Sequence, residues 1–313
     1  MSTFSSGANV WTMQNGTEDL YSMPPDGAYD FRPSGISKDG RFIAGTLITG
    51  DWNSAGFILD RTNPGDLIIF EPGSSIADIS DNGLSIVGFD SEIGTVYWLP
   101  DHTSDDGPIV LGSIPSTHPG QIDVYAMDGA GSRAVGRQFG ISDFGMETAV
   151  YWNLSGTESP PAIPIPFANP DSEFISRASD ISRDGNFIVG EFRNTSMFFQ
   201  PFLYAVGGDI VEIPIPGAIA SGVSNTGRVV RTDSLLASGA TSGTDGSTDT
   251  ATKFAVPNTS SRAYIYDEPA GIRTINRWLA DSGVELGPVI FATADAISED
   301  GTVVVGTFNN QFL

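Results

Sequence analysis

Apolar residues in this chain come in short bursts, broken by glycine, serine, asparagine and aspartate. Alternation with period two dominates and a 3.6-residue period is nearly absent, which predicts strands. One phrase recurs. "GISKDGRFIAG" (35–45), "DISDNGLSIVG" (78–88), "DISRDGNFIVG" (180–190) and "AISEDGTVVVG" (296–306) each set an Asp-Gly or Asn-Gly pair between "IS" and an apolar run. "AMDGAGSRAVG" (126–136) and "GVSNTGRVVRT" (222–232) are looser copies. Because these pairs tolerate positive φ, each phrase predicts a tight hairpin joining a strand A to a strand B.

A third strand follows: "GFIL" (56–59), "VYW" (96–98), "AVYW" (149–152), "FLY" (202–204) and "AYIY" (263–266). A fourth comes next, often ending in proline: "LIIF" (67–70), "IVLGSIP" (109–115), "AIPIP" (162–166), "IVEIPIP" (210–216) and "IRTI" (272–275). Proline at a strand end suits an outer edge, where it blocks further pairing. The turn glycines Gly40, Gly83, Gly131, Gly185, Gly227 and Gly301 stand 42 to 54 residues apart, with one gap of 74. Four strands per roughly 40–50 residues is the period of a propeller blade. The long gap holds residues 235–258, whose Ser/Thr/Gly/Asp composition predicts a flexible loop insertion in the fifth repeat.

The sixth hairpin has no third or fourth strand after it. The missing pair stands at the other end, in "ANVW" (8–11) and "EDLYSMPP" (18–25). The expected fold is therefore all-β: one six-bladed β-propeller of four-stranded blades over residues 1–313, its ring closed by N-terminal strands C and D pairing with C-terminal strands A and B.

The "ISxDGxxxVG" hairpin, the aromatic strand after it ("AVYW", "AYIY") and "INRWLADSGVELG" (275–287) together resemble the HAF-repeat family of bacterial exported and autotransporter-like proteins. The resemblance runs through nearly the whole chain. Val223-Ser224-Asn225-Thr226-Gly227, with Arg231 at the closing glycine, and Met127-Asp128-Gly129-Ala130-Gly131 depart from the motif. The resemblance implies export and a surface role, secreted or cell-surface; it does not imply a catalytic activity.

Composition narrows the chemistry. There are 38 acidic and 15 basic residues, a net charge of −23, and two lysines, Lys38 and Lys253. Nucleic acid needs clustered Lys/Arg to replace its counterions, so it is not an expected partner, and neither is an anionic membrane surface. No run approaches the ~20 apolar residues of a membrane helix, so membrane insertion is not expected. The first residues, "MSTFSSGANVW", lack the basic start and apolar stretch of a signal peptide. Without cysteine there is no disulfide and no thiol chemistry.

In such a blade the A–B and C–D turns share one face and the B–C and D–A connections the other. The second set is longer and varies from blade to blade, so the ligand is expected there. Tyr29, Asp30, Arg32, Trp52, Asp123, Tyr125, Phe144, Glu173 and Arg177 are the candidate ligand-binding residues. Aromatic faces beside carboxylates suit sugar rings, by stacking and by accepting hydroxyl hydrogen bonds; the competing role for each aromatic is packing between blades.

Gly35, Asp78, Ala126, Asp180, Gly222 and Ala296, each preceding its "IS", are expected to line the channel mouth. Asp78 and Asp180 are not explained by small size. They are either two solvated carboxylates in a wet channel, the favoured reading, or a Ca²⁺ site completed by water and carbonyl oxygens; no cofactor is required. The repeated serines of "IS" are expected to satisfy local backbone groups.

Enzyme readings fare worse. His102 and His118 fall in loops of opposite faces, and no Gly-rich phosphate loop is present. A carboxylate-pair hydrolase or lyase acting on carbohydrate stays open as an alternative, as does a structural propeller of an appendage or virion. The expected function is a surface or secreted module that binds a glycan or a protein partner.

Overall fold

The computed structural model describes residues 9–12, 16–19, 28–49, 53–63, 67–98, 107–114, 120–140, 147–154, 159–167, 175–193, 199–214, 218–233, 263–284 and 289–310. Its chain order opens with an antiparallel pair, β1 (Asn9–Thr12) and β2 (Gly16–Asp19). Five four-stranded antiparallel sheets follow. Blade 1 is β3 (Ala28–Ile36), β4 (Phe42–Thr49), β5 (Ser54–Asp60) and β6 (Leu67–Pro72). Blade 2 is β7 (Ser75–Ile79), β8 (Ile86–Asp90), β9 (Gly94–Trp98) and β10 (Ile109–Val110). Blade 3 is β11 (Gln121–Met127), β12 (Arg133–Phe139), β13 (Glu147–Asn153) and β14 (Ile163–Pro164). Blade 4 is β15 (Ile175–Ile181), β16 (Phe187–Arg193), β17 (Gln200–Ala205) and β18 (Ile210–Glu212). Blade 5 is β19 (Ala218–Val223), β20 (Val229–Asp233), β21 (Ala263–Asp267) and β22 (Gly271–Thr274).

The sixth blade draws on both ends of the chain. A C-terminal hairpin pairs β23 (Val289–Phe291) with β26 (Phe308–Asn310) and β24 (Ala296–Ile297) with β25 (Val304–Val305). β1–β2 and these two pairs are three separate two-stranded sheets among the described residues, and together they supply the strands of a sixth blade, consistent with the six-bladed propeller that the half-units predict. Among the described residues one element is not a strand. Helix α1 (Ile275–Asp281) follows β22, capped by Thr274, whose side chain accepts from the Arg277 N–H. At seven residues it is too short to impose a visible helical period, which is why an all-strand reading missed it.

The inner strands show why the apolar runs are continuous. Ile188 packs toward blade 3 and its neighbour Val189 toward blade 5, and both are fully buried. A strand sandwiched between two blades has no wet face, so the alternation is lost. The hairpins are longer than a two-residue turn. Gly40 N–H donates to Ser37 O, and Ser37 N–H donates to Phe42 O, so strand pairing resumes only at Phe42. The turn glycine supplies positive φ, 70° at Gly40 and 74° at Gly185.

The closing glycine, present as Gly45, Gly88, Gly136 and Gly190 in blades 1 to 4 and replaced by the buried Arg231 in blade 5, has a separate cause. Strand A carries a bulge in every one of the five complete blades, for example between Ala178 and Asp180. The bulge brings its backbone onto strand B. A Cβ on Gly190 would lie 2.0 Å from Arg177 O, and one on Gly136 would lie 1.9 Å from Asp123 O.

Candidate functional site

The central channel widens at its hairpin end into a cavity of about 480 Å³. Gly35, Asp78, Ala126, Asp180, Gly222 and Ala296 all line it, as the repeat predicts. Lys38, Asp81, Arg183 and Glu299 line it too, which fixes its end: it opens among the A–B turns, not among the long loops.

A circuit of hydrogen bonds runs around this opening. Lys38 N–H donates to Asp81 O at 3.0 Å, Asp81 N–H to Gly129 O at 2.8 Å, and Gly129 N–H to Arg183 O at 2.8 Å. Asp184 N–H then donates to Asn225 Oδ1 at 3.0 Å, and Asn225 N–H to Glu299 O at 2.8 Å. Lys38 Nζ closes the circuit on Glu299 Oε2 at 3.0 Å, tying blade 6 to blade 1.

Asp78 and Asp180 serve the same end. Asp78 accepts from the Met127 N–H of the next blade at 2.9 Å, and Asp180 accepts from the Val223 N–H of the next blade at 2.9 Å. Burial pushes the Asp78 carboxyl up to about 6 and the Asp180 carboxyl up to about 7, against the opposing pull of these N–H donors. Arg183 stands 3.8 Å from Asp78 and binds Asp81 through its guanidinium. Two carboxylates already engaged by backbone N–H groups and a guanidinium are a poor cage for Ca²⁺, and among the described residues no group of three or more acidic or histidine side chains could hold a metal ion.

The repeated serines are local braces, as expected. Ser182 donates to Asp184 Oδ1 at 2.6 Å and accepts from Phe187 N–H at 2.9 Å. In blade 3 Asp128 replaces the serine and accepts from both the N–H and the hydroxyl of Ser132, each at 2.7 Å.

The opposite end of the channel is built differently. A second cavity of about 420 Å³ lies between blades 1, 2 and 3, lined by Thr46, Ser75, Phe89, Thr95, Gln121, Asp123 and Tyr125 together with apolar residues such as Ile76 and Val124. Phe89 is 39% exposed at the end of strand B, before the B–C turn. Tyr125 borders both cavities. It is the bulge residue of blade 3, where blades 1, 4 and 5 carry Ser34, Ser179 and Ser221. A bulge re-aims a side chain, and here it turns an aromatic ring toward the axis. Burial pushes the Tyr125 hydroxyl up to about 12, and it donates to Asp123 Oδ2 at 3.3 Å.

Beside it Arg137 bonds Asp123 at 2.7 Å and Glu147 at 2.9 Å, and lies over the Phe139 ring at 5.0 Å. In blade 4 Arg177 pairs with Glu191, a fully buried carboxylate whose Oε2 has no hydrogen-bond partner. Burial raises the Glu191 carboxyl, with Arg177 opposing. Asp123, Tyr125 and Arg177 of the sequence candidates thus meet in one region. Asp30 and Arg32 form their own ion pair at 2.6 Å on blade 1, with Arg32 largely exposed. Trp52, Phe144, Glu173, His102, His118, residues 235–258 and the side chain of Tyr29 lie outside the described residues. Phe89, Arg137, Glu147 and Glu191, which the sequence did not mark, stand on β8, β12, β13 and β16, and the last three owe their place to partners on a neighbouring strand of the sheet.

No family model matches the sequence, and no curated protein matches it either. Solved structures do. An oligogalacturonate lyase in complex with manganese superposes with a TM-score of 0.54 at 11% identity, over 96% of this chain and 77% of that one. TolB from Acinetobacter baumannii gives 0.51 at 11% identity, over 86% of this chain and 58% of that one. The acylaminoacyl peptidase of Pyrococcus horikoshii gives 0.51 at 15% identity, over 87% of this chain and 41% of that one. This chain therefore shares the β-propeller fold of these proteins, and spans little more than half of TolB and less than half of the peptidase.

Proposed function

We propose that this propeller is a surface or secreted binding module that holds a glycan on its B–C/D–A face, in the cavity between blades 1, 2 and 3. The observation that carries the reading is Phe89, 39% exposed and lining a cavity whose other walls mix apolar residues such as Ile76 and Val124 with hydroxyl, amide and carboxylate side chains. A sugar ring stacks on an aromatic face while its hydroxyls bond such groups, and a volume of about 420 Å³ is in the range of small-ligand sites. The surface location rests on the resemblance to HAF repeats. At the other end of the channel the polar groups are engaged in holding blades together, which leaves the loop face for a ligand.

The test is a glycan array probed with and without calcium, followed by product analysis of every hit and a repeat with Phe89→Ala. The expected result is an intact, bound glycan whose retention falls about tenfold in the variant. A cleaved hit would replace the binding module with a carbohydrate-active enzyme. Silence across the array would turn the reading to a protein partner or a structural propeller.

A further inference from the structure

The charge distribution sharpens the ligand, on the reading that the loop face binds a glycan. In a chain of net charge −23, a cation without an acid beside it is unexpected. Among the described residues Arg193 is such a cation. It ends β16, opposite Ile175, and among the described residues it forms no ion pair and no hydrogen bond. Its guanidinium lies 5.5 Å from the centre of the Phe199 ring, and Arg177 lies 5.6 Å from the same ring. Arg177 has its own acid in Glu191, so among the described residues Arg193 is the one of the two without an acid partner.

We infer that Arg193, beside Phe199 and Arg177, is an anion subsite, and that the glycan held by this face is acidic, with a carboxylate on its sugar units. Three features support this. A guanidinium presents five N–H donors in a planar fork that matches a carboxylate bidentately, and Arg193 has them to spend. Resting against an aromatic face desolvates it on one side and fixes its plane, so less freedom is lost on binding. The subsite also lies on the path of an extended ligand. From Phe89 on blade 2 the polar groups run through Asp123, Tyr125 and Arg137 on blade 3 to Arg177 and Arg193 on blade 4. The ligand favoured is a saccharide rather than an acidic peptide, because the cavity end of this path offers hydroxyl-bearing walls and one exposed ring.

The experiment is calorimetric titration of an oligouronate, its carboxyl-reduced neutral counterpart and an oligoglutamate into the intact protein, Arg193→Gln and Phe89→Ala. The expected result is a preference of about tenfold for the oligouronate over the reduced sugar, shrinking with salt. In Arg193→Gln that preference should disappear while binding of the neutral sugar is retained, which also shows that the variant is folded. Phe89→Ala should weaken both sugars alike. Equal binding of the two sugars by the intact protein, still weakened by Phe89→Ala, would overturn the acidic subsite and leave glycan binding standing. Tighter binding of oligoglutamate than of either sugar would overturn both.

Discussion

At the hairpin end of the channel, Lys38, Asp81, Gly129, Arg183, Asn225 and Glu299 occupy one equivalent position and share neither size nor charge. The bonds that join them run mostly through backbone atoms. At the loop end, one blade carries a tyrosine where three others carry a serine, and the cross-strand ion pair is Asp123–Arg137 in blade 3 but Arg177–Glu191, with the charges exchanged, in blade 4. The first region repeats its geometry while its side chains drift. The second breaks the repeat with particular side chains. Repetition marks what every blade needs in order to stand beside the next, and departure from it marks what a ligand could use.

The comparison breaks most sharply if the repeated end proves dispensable. Gly190→Ala places a Cβ 2.0 Å from Arg177 O, a backbone atom that cannot step aside. The expected loss exceeds about 3 kcal/mol, read as a fall in thermal midpoint or as insoluble expression. An unchanged midpoint would show that the bulge does not dictate the glycine.

Next comes acidity. The folded carboxyls of Asp78 and Asp180 sit at about 6 and about 7, above the ordinary 3.8. The native state therefore holds more protons than the unfolded one between those values. Stability should rise as pH falls from about 8 toward 5 through these two groups, and the contribution is lost again as pH climbs through the folded values. For Asp180 the upper bound is about 4 kcal/mol, reduced by water in the channel. Asp180→Asn keeps an acceptor for Val223 N–H, so it should flatten the slope in denaturant titrations across that window. A slope equal to the parent's would place the pH response elsewhere.

The loop end gives the opposite signature. Phe89→Ala should cost about tenfold in glycan affinity with a thermal midpoint within a degree or two of the parent, since its ring is already half in water. A large drop in midpoint would make Phe89 a packing residue instead. Smallest of all is Lys38→Gln. Its ion pair with Glu299 is exposed, so the midpoint should move by no more than a degree or so, and less in high salt.

Local chemistry was legible in the sequence and distant partners were not. The six turn glycines could be placed because a positive φ is a demand of neighbouring residues, and all six have it. The six axial residues could be named because the repeat puts them in register. The work done by Asp78 and Asp180 could not be seen, because each grips a backbone N–H more than forty residues away. The tight approach behind the closing glycines of blades 1 to 4 could not be seen either, because it comes from a backbone atom of the paired strand. The loop-end cluster was half seen. Asp123, Tyr125 and Arg177 stood out by residue type, while Arg137 and Glu191 acquire meaning only once strand B folds back on strand A of the same blade.

The circuit around the hairpin end has a consequence for how such a chain can grow. Each unit presents nearly the same donor and acceptor to whatever unit stands beside it, and most of them belong to the main chain. A duplicated segment inserted by recombination would arrive already fitted to its neighbours, with no compensating substitutions needed at the joint. Mutation is then free to recolour that position, as the run from lysine to glycine to glutamate shows. Blade number becomes a matter of ring geometry, and inheritance by copying becomes the easy route to a larger or smaller wheel.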